Sequence, residues 1–101
     1  MTNTNQLNIG SAKIDLKSRY LFGTRKKVPL NNKEFVLLEY FIRNGGKVLS
    51  RTEILEDVWD RNIFCNTNTV DVHISKIRKK FTKIRKKSPI KTVHSVGYIF
   101  E

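Results

Sequence analysis

Cysteine, acidic residues and long apolar runs are scarce in this sequence, and each shortage excludes a class of protein. The chain of 101 residues contains one cysteine, Cys65, so it cannot form an internal disulfide, which fits a reducing compartment. No apolar run approaches the length of a transmembrane helix, and residues 1–20 lack the apolar region of a signal peptide. We therefore expect a soluble cytoplasmic protein that does not associate with membranes.

Side chains that would support catalysis or metal binding are also missing. Cys65, His73 and His94 do not have the spacing of common zinc ligands, so we predict no metal site. The sequence contains no glycine-rich phosphate loop and no plausible pair of nucleophile and base. These absences predict a protein that is not an enzyme and needs no cofactor.

The charge balance, by contrast, indicates a polyanionic partner. Lys and Arg number 20 against nine Asp and Glu, which gives a net charge of +11. Residues 1–66 contain eleven basic and seven acidic side chains, a net of +4, whereas residues 67–101 contain nine and two, a net of +7. Repulsion at this level lowers stability unless an anion neutralises it. The apolar fraction of 39%, with six Phe, three Tyr and one Trp, still predicts one folded domain.

Residues 68–83 are the most informative segment because they form two stripes at helical spacing. One stripe is apolar and would bury in a core; it consists of Val70, Ile74, Ile77, Phe81 and Ile84. The other lies on the far side of the helix and consists of Thr69, Val72, Lys76, Lys79 and Lys83. A helix with a buried back and a small, cationic front suits the major groove of duplex DNA.

The flanking segments predict the strands of an α+β domain. Residues 1–6 are polar and without pattern, as in a disordered terminus or a linker remnant. Residues 7–30 contain short apolar pieces, which predict a four-stranded antiparallel sheet with Pro29 at the end of an edge strand. Residues 90–101 predict a hairpin with a tight turn near residues 95–97.

Two further helices have recognisable starts. The capping-box spacing, in which a capping residue precedes Glu by three positions, occurs at Asn31–Glu34 and at Ser50–Glu53. A loop of about residues 60–66 leads to the third helix, which Asn68 or Thr67 would cap. Three helices and a closing hairpin make a winged helix-turn-helix, in which the third helix enters the major groove beside the hairpin wing.

Short motifs along the chain also carry a family resemblance. They follow one another in this order: Leu30–Phe35 with Leu37–Glu39, Val48–Arg51, Val58–Trp59, Thr69–Ile74, Ile77–Arg78 and Gly97–Tyr98. In order and spacing, across about residues 7–101, they resemble the OmpR/PhoB-type effector domain of bacterial two-component response regulators. A single motif of this kind is weak, but their common register makes the match specific.

The resemblance implies sequence-specific binding of duplex DNA for transcription regulation by a nucleoid-associated protein. Such a chain would be monomeric when free and would occupy direct repeats as head-to-tail pairs. The resemblance places Val72 and Lys76 at base edges. The residues implied at the DNA backbone or in the wing contact are Trp59, Asn68, Thr69, His73, Ser75, Arg78, Thr92, His94 and Tyr98. The residues implied in contact with RNA polymerase are Asp60, Arg61, Asn62, Ile63 and Phe64.

Departures from the family pattern move positive charge toward the C-terminal end of the third helix. His94 and Ser95 stand where the family usually has Arg and Gly, and Asn68 stands where Arg is common. Ser75 and Lys76 replace a frequent Arg pair, so we expect Lys76 to contribute most to specificity. The basic run of residues 76–87 extends the predicted DNA-binding set with Lys79, Lys80 and Lys83.

Several alternatives stay open at the level of sequence. The basic C-terminal third could bind nucleic acid without sequence preference, or residues 60–66 could make the chain an RNA polymerase-interaction module. Residues 83–91 could form a solubilising loop or a phosphate-binding arm. The sequence shows no phosphoacceptor receiver domain, so we expect either a separated effector domain or a protein that acts without phosphorylation.

Overall fold

Four short antiparallel strands begin the fold, as the apolar pattern predicts. The structure is a computed structural model that describes residues 6–59 and 66–101. Its first strands, paired in this order, are β1 (Gln6–Ile9), β2 (Ala12–Asp15), β3 (Tyr20–Phe22) and β4 (Lys27–Pro29). Pro29 ends the edge strand β4, as predicted. Gln6 pairs with Asp15, so the prediction that the polar terminus includes residue 6 is wrong, because this residue extends the ladder.

Three helices follow, and the first two begin at the predicted capping boxes. They are α1 (Asn32–Arg43), α2 (Arg51–Val58) and α3 (Asn68–Lys83). The Asn31 side chain accepts a hydrogen bond from the Glu34 N–H, and the Glu34 side chain accepts one from the Asn31 N–H. Ser50 and Glu53 form the same reciprocal pair. These bonds satisfy donors that a helix start leaves free, which is why local sequence locates both starts.

A second sheet carries the C-terminal hairpin. It joins β5 (Leu49–Ser50), β6 (Ile90–Val93) and β7 (Gly97–Phe100) in the order β5-β7-β6. The hairpin of β6 and β7, hereafter the wing, is the predicted one. Strand β5 was not predicted, because two residues are too few to show a strand period. A Cβ at Gly97 would lie 2.0 Å from the Leu49 carbonyl oxygen, so β5 and β7 can approach this closely only with glycine there.

Helix α3 lies against α1 and α2 and contributes its apolar side to the core. The buried cluster that it joins includes Ile14 and Leu21 from the first sheet, Phe41 from α1 and Ile54 from α2. Among the described residues, the opposite side of α3 is exposed, with the wing beside it. Across residues 6–59 and 66–101, no helix is both long and apolar enough to cross a bilayer.

Candidate nucleic-acid interface

The two stripes of α3 separate in the structure as the sequence predicts. Val70, Ile74 and Ile77 are fully buried, whereas Val72 on the opposite side is 50% exposed. The other exposed or partly exposed side chains around Val72 are Asn68, Thr69, Ser75, Lys76, Lys79 and Lys83. This surface, hereafter the free face, combines one apolar side chain with three cations and small polar groups.

The start of α3 is capped by a residue outside the helix. Thr67 occupies the N-cap position, one of the two predicted, but its side chain makes no capping hydrogen bond and its backbone is helical, with φ −65° and ψ −18°. Instead Asn66 Oδ1 accepts a hydrogen bond from the Asn68 N–H at 3.0 Å. The Asn68 side chain is therefore not used as a cap; it is exposed, and its Oδ1 accepts a hydrogen bond from Arg51 Nη2 at 3.4 Å.

Asp71 connects α3 to both α2 and the wing. Its Oδ1 accepts a hydrogen bond from the Tyr98 hydroxyl at 2.6 Å, and its Oδ2 forms an ion pair with Arg51 Nη2. Burial, followed by the hydrogen bond to Asp71, raises the pKa of Tyr98 to about 12. The sequence indicated only that Asp71 suits the first turn of a helix, whereas the structure shows it fixing three elements relative to one another.

The Tyr98 network predicts a loss of stability in alkali. Tyr98 has its pKa raised from 10.0 to about 12 in the folded chain, so the unfolded chain loses the hydroxyl proton first. The stabilisation is complete below pH 10 and is lost as the pH rises to about 12. Tyr40, whose pKa burial and the bond to Asp57 also raise, contributes in the same direction. The stability difference between wild type and Tyr98→Phe should therefore shrink between pH 10 and 12; a constant difference in urea unfolding would contradict this assignment.

Arg78 attaches the wing to α3. Its guanidinium donates to the Ile90 carbonyl oxygen from Nε at 3.3 Å and from Nη2 at 3.0 Å, and to Thr92 Oγ1 at 2.9 Å. Its Cζ also lies 5.4 Å from the centroid of the Tyr98 ring. The resemblance assigned Arg78 to a phosphate, but in the free protein these bonds position the wing.

Trp59, at the end of α2, packs against His73 in the N-terminal half of α3. Trp59 is buried, and the two ring centroids are 5.1 Å apart in an edge-to-face arrangement. His73 Nδ1 lies 2.9 Å from the Thr69 carbonyl oxygen. Lys33 Nζ lies 5.2 Å from the Trp59 ring centroid and donates to the Val58 carbonyl oxygen at 3.3 Å. These contacts hold the N-terminal half of α3 against the end of α2, and Lys33 adds a contact from α1.

Lys80 lies outside the free face, unlike the other lysines of α3 in the predicted DNA-binding set. Its Nζ forms an ion pair with the carboxylate of Glu34, a residue that is 2% exposed, and donates to the Pro29 carbonyl oxygen at 2.7 Å. A buried carboxylate is stable only with such a partner. Lys80 therefore joins α3 to α1 and β4.

The wing tip is exposed and borders a polar cleft. Thr92 and His94 are exposed, as the implied wing contact requires, and Ser95 has a positive φ of 65°, where the family usually has glycine. A cleft of about 460 Å³ separates the wing from the starts of α2 and α3. Its walls carry the hydroxyl groups of Ser50, Thr52, Thr67, Thr92 and Ser95. Hydroxyls are common donors to phosphate oxygens in complexes with DNA.

Part of the predicted site lies outside the described residues. This part is the implied polymerase contact, namely Asp60, Arg61, Asn62, Ile63 and Phe64, together with Cys65. Among the residues that the structure does describe, no group of three His, Cys, Asp or Glu side chains could hold a metal ion. The candidate interface is therefore built from α3, the wing and the residues that hold them.

Two supporting cations, Arg51 and Lys33, were not singled out from the sequence. Arg51 belongs to a motif of the family resemblance, but nothing local shows that it pairs with Asp71, 20 residues away. Lys33 likewise reaches the carbonyl of Val58, 25 residues away. Only the tertiary fold brings these groups together.

The sequence as a whole matches a known protein family. Residues 25–100 match the family described as "Transcriptional regulatory protein, C terminal". The chain belongs to this family. It is a winged-helix DNA-binding domain of the OmpR/PhoB type found in response regulators, and this family regulates transcription and is not enzymatic.

Individual relatives of this OmpR/PhoB-type domain cover nearly all of the chain. The transcriptional regulatory protein CusR of Escherichia coli K12 is 38% identical over 96 residues, which are 95% of this chain and 42% of CusR. The DNA-binding domain of E. coli CadC superposes with a TM-score of 0.85 at 26% identity, over 99% of this chain and 94% of that one. The Klebsiella pneumoniae RstA DNA-binding domain, solved in complex with the RstA box, has a TM-score of 0.74 at 28% identity, over 94% of this chain and 95% of that one. The chain spans about two fifths of the length of the curated relatives it matches.

Proposed function

We propose that this domain recognises a specific sequence in duplex DNA, with α3 in the major groove and the wing at the neighbouring minor groove. The observation that carries the proposal is the free face of α3, which presents Val72 and three lysines opposite a fully buried back. A major groove is about 12 Å wide and admits one helix. The structural similarity to RstA, which was solved with its DNA box, supports the same mode of binding.

Within the free face, Val72 and Lys76 are the proposed base-reading residues. A lysine ammonium can donate to O6 and N7 of guanine, and the methyl groups of valine can contact the methyl group of thymine. Both side chains are exposed at the middle of the outward stripe. A well-placed base contact contributes about 1–3 kcal/mol of discrimination against the wrong base.

The remaining predicted residues fall into two roles. The proposed backbone contacts are Asn68, Thr69, Ser75, Lys79 and Lys83 on the free face and Thr92 and His94 in the wing. Trp59, His73, Arg78 and Tyr98 are buried or partly buried against protein partners, so we assign them to positioning the groups that touch DNA. Loss of a positioning residue should weaken binding through a misplaced helix or wing.

The family relationship also supports proposals about assembly. We propose that the chain is monomeric when free, that two copies occupy direct repeats head to tail, and that the chain serves as the DNA-binding part of a response regulator. Contact with RNA polymerase through residues 60–64 rests on the family resemblance alone.

Selection of bound duplexes from a random pool tests the proposed function. We expect one enriched motif, repeated in the same orientation at a spacing of about one helical turn or a multiple of it. Affinity should fall with salt at a log–log slope of about −4 to −5, because roughly four to six phosphates are neutralised. A similar salt dependence without any enriched motif would instead show a non-specific nucleic-acid binder.

A further inference from the structure

A second basic surface lies away from the free face, where the β3–β4 turn meets the end of α3. A Cβ at Gly23 would lie 2.6 Å from the Ile84 carbonyl oxygen, so the turn rests directly on the backbone that ends the helix. Lys86 Nζ donates to Thr24 Oγ1 at 2.8 Å, which joins two segments 62 residues apart. The turn and the end of α3 therefore form one composite surface.

Cations dominate this composite surface. A shallow depression of about 210 Å³ is lined by Thr24, Arg25, Lys26, Ile84, Arg85 and Lys86. Four of these six residues are cations and none is acidic. In the part of the chain that the structure describes, none of the four forms a salt bridge. We call Arg25, Lys26, Arg85 and Lys86 the basic cluster; without an anion, its members repel one another.

The backbone at Arg85 gives an independent reason to look for a function. Arg85 has a positive φ of 59°, and the Arg85 N–H bonds to the Thr82 carbonyl while the Lys86 N–H bonds to the Phe81 carbonyl. These two bonds form a Schellman motif, in which the residue with positive φ is usually glycine. An arginine adopts this conformation at an energetic cost that glycine avoids.

Stabilisation of the helix end explains only part of this arrangement. Cations near a helix C-terminus interact favourably with the helix dipole, which accounts for Arg85 or Lys86. It does not require an arginine at the positive-φ position, and it does not require two more cations from a distant turn.

The length of α3 bears on how the basic cluster would lie relative to the phosphates of the DNA backbone. Thr69 and Lys83 are separated by fourteen residues, or about 21 Å along a helix. A major groove is only about 12 Å wide, so a helix whose first half lies in the groove extends past the phosphates at its edge. The basic cluster follows directly after Lys83 and would lie over or beyond that edge.

We propose that the basic cluster is a second phosphate-binding site that contacts the DNA backbone outside the segment covered by α3 and the wing. This inference rests on the proposed function, because it requires the free face to be docked in the major groove. It also assigns residues 84–87 to a phosphate-binding arm, with partners in the β3–β4 turn that sequence reasoning did not include.

Two cluster variants test the proposal, together with a control that removes as many charges as the double variant. The variants are Arg85→Gly and the double change Arg25→Gln/Lys26→Gln. The control, Lys13→Gln/Lys17→Gln, removes two exposed cations, one from β2 and one from the turn between β2 and β3. Binding is measured across a salt series on the selected duplex in two lengths, one ending at the motif and one extended by about one helical turn, roughly 10 base pairs, on each side.

We expect the cluster variants to differ from wild type on the long duplex only. There the log–log salt slope should become shallower by about 0.9 for each phosphate contact removed, hence by about 1–2 for the double variant and by clearly less for the control. Arg85→Gly should weaken binding while its Tm stays equal to that of wild type or rises, because glycine relieves the strained position.

Three results would overturn the proposal. They are equal slopes for the cluster variants and the control, equal losses on the short and long duplexes, and a loss of affinity in Arg85→Gly that merely follows a fall in Tm. Failure of the proposed function would look different, because wild type itself would then enrich no motif in the selection.

Discussion

Replacing Lys80 with alanine should lower the free energy of unfolding by about 3 kcal/mol, the largest stability effect that we expect from one cation in this chain. Lys80 Nζ pairs with the carboxylate of Glu34, which is only 2% exposed. Without Lys80 the Glu34 carboxylate is buried without a cation, which favours the unfolded state. Lys80 also donates to the Pro29 carbonyl oxygen at 2.7 Å, so β4 loses an anchor.

Thermal unfolding measures this effect, with Lys79→Ala as the matched control. We expect Lys80→Ala to lower Tm by roughly 10–20 °C. Lys79 is adjacent on α3 and exposed, so its loss should change the unfolding free energy by less than about 0.5 kcal/mol while weakening DNA binding. The double variant Glu34→Gln/Lys80→Met should recover part of the stability, because it buries no charge. Equal stability of Lys80→Ala and Lys79→Ala would contradict the internal role of Lys80.

Replacing Asp71 with alanine should weaken DNA binding, although it removes a negative charge from the edge of the proposed DNA-binding surface. Asp71 holds the Tyr98 hydroxyl at 2.6 Å and pairs with Arg51, so alanine removes one link from α3 to the wing and one to α2. Hydrogen bonds to charged groups contribute about 1.5–3 kcal/mol each. The side chains of Asp71 and Arg51 are 36% and 41% exposed, so water screens their pair. We therefore expect a total loss of about 2 kcal/mol in stability and about tenfold weaker binding.

Affinity measured for Asp71→Ala and Asp71→Asn separates a structural role from simple repulsion. Asparagine removes the charge but keeps an oxygen that can accept from Tyr98, so it should bind DNA more tightly than alanine does. If Asp71 only repelled phosphates, both variants would bind more tightly than wild type. That result would contradict the role of Asp71 in holding the wing.

Local spacing was sufficient to predict the helices and much of the site. The capping boxes at Asn31 and Ser50 and the two stripes of α3 depend on residues three or four positions apart, and the structure confirms them. Val72 was predicted to be exposed because it lies opposite Ile74 on the helix, and its 50% exposure follows from that geometry.

Sequence patterns reach least far where the deciding partner is distant in sequence. Lys80 lies at the border of the two stripes, and only its pairing with Glu34, 46 residues away, turns it inward. No local pattern reveals that Arg78 binds the Ile90 carbonyl, so its contact with the wing is visible only in the structure. Strand β5 exists because β7 pairs with it, not because its two residues favour a strand. Charge counts and hydrophobic periodicity give no information about these distant partners.

We propose that the free face of α3 reads base sequence. The most direct measurement is the ratio of affinities for the selected duplex and for a scrambled duplex of equal length, in wild type and in Lys76→Ala. Wild type should prefer the selected duplex by about a thousandfold or more. Lys76→Ala should reduce this ratio by about tenfold or more, whereas Lys83→Ala should weaken both duplexes alike. A ratio that Lys76→Ala leaves unchanged, with both affinities lowered equally, would contradict sequence reading by this face.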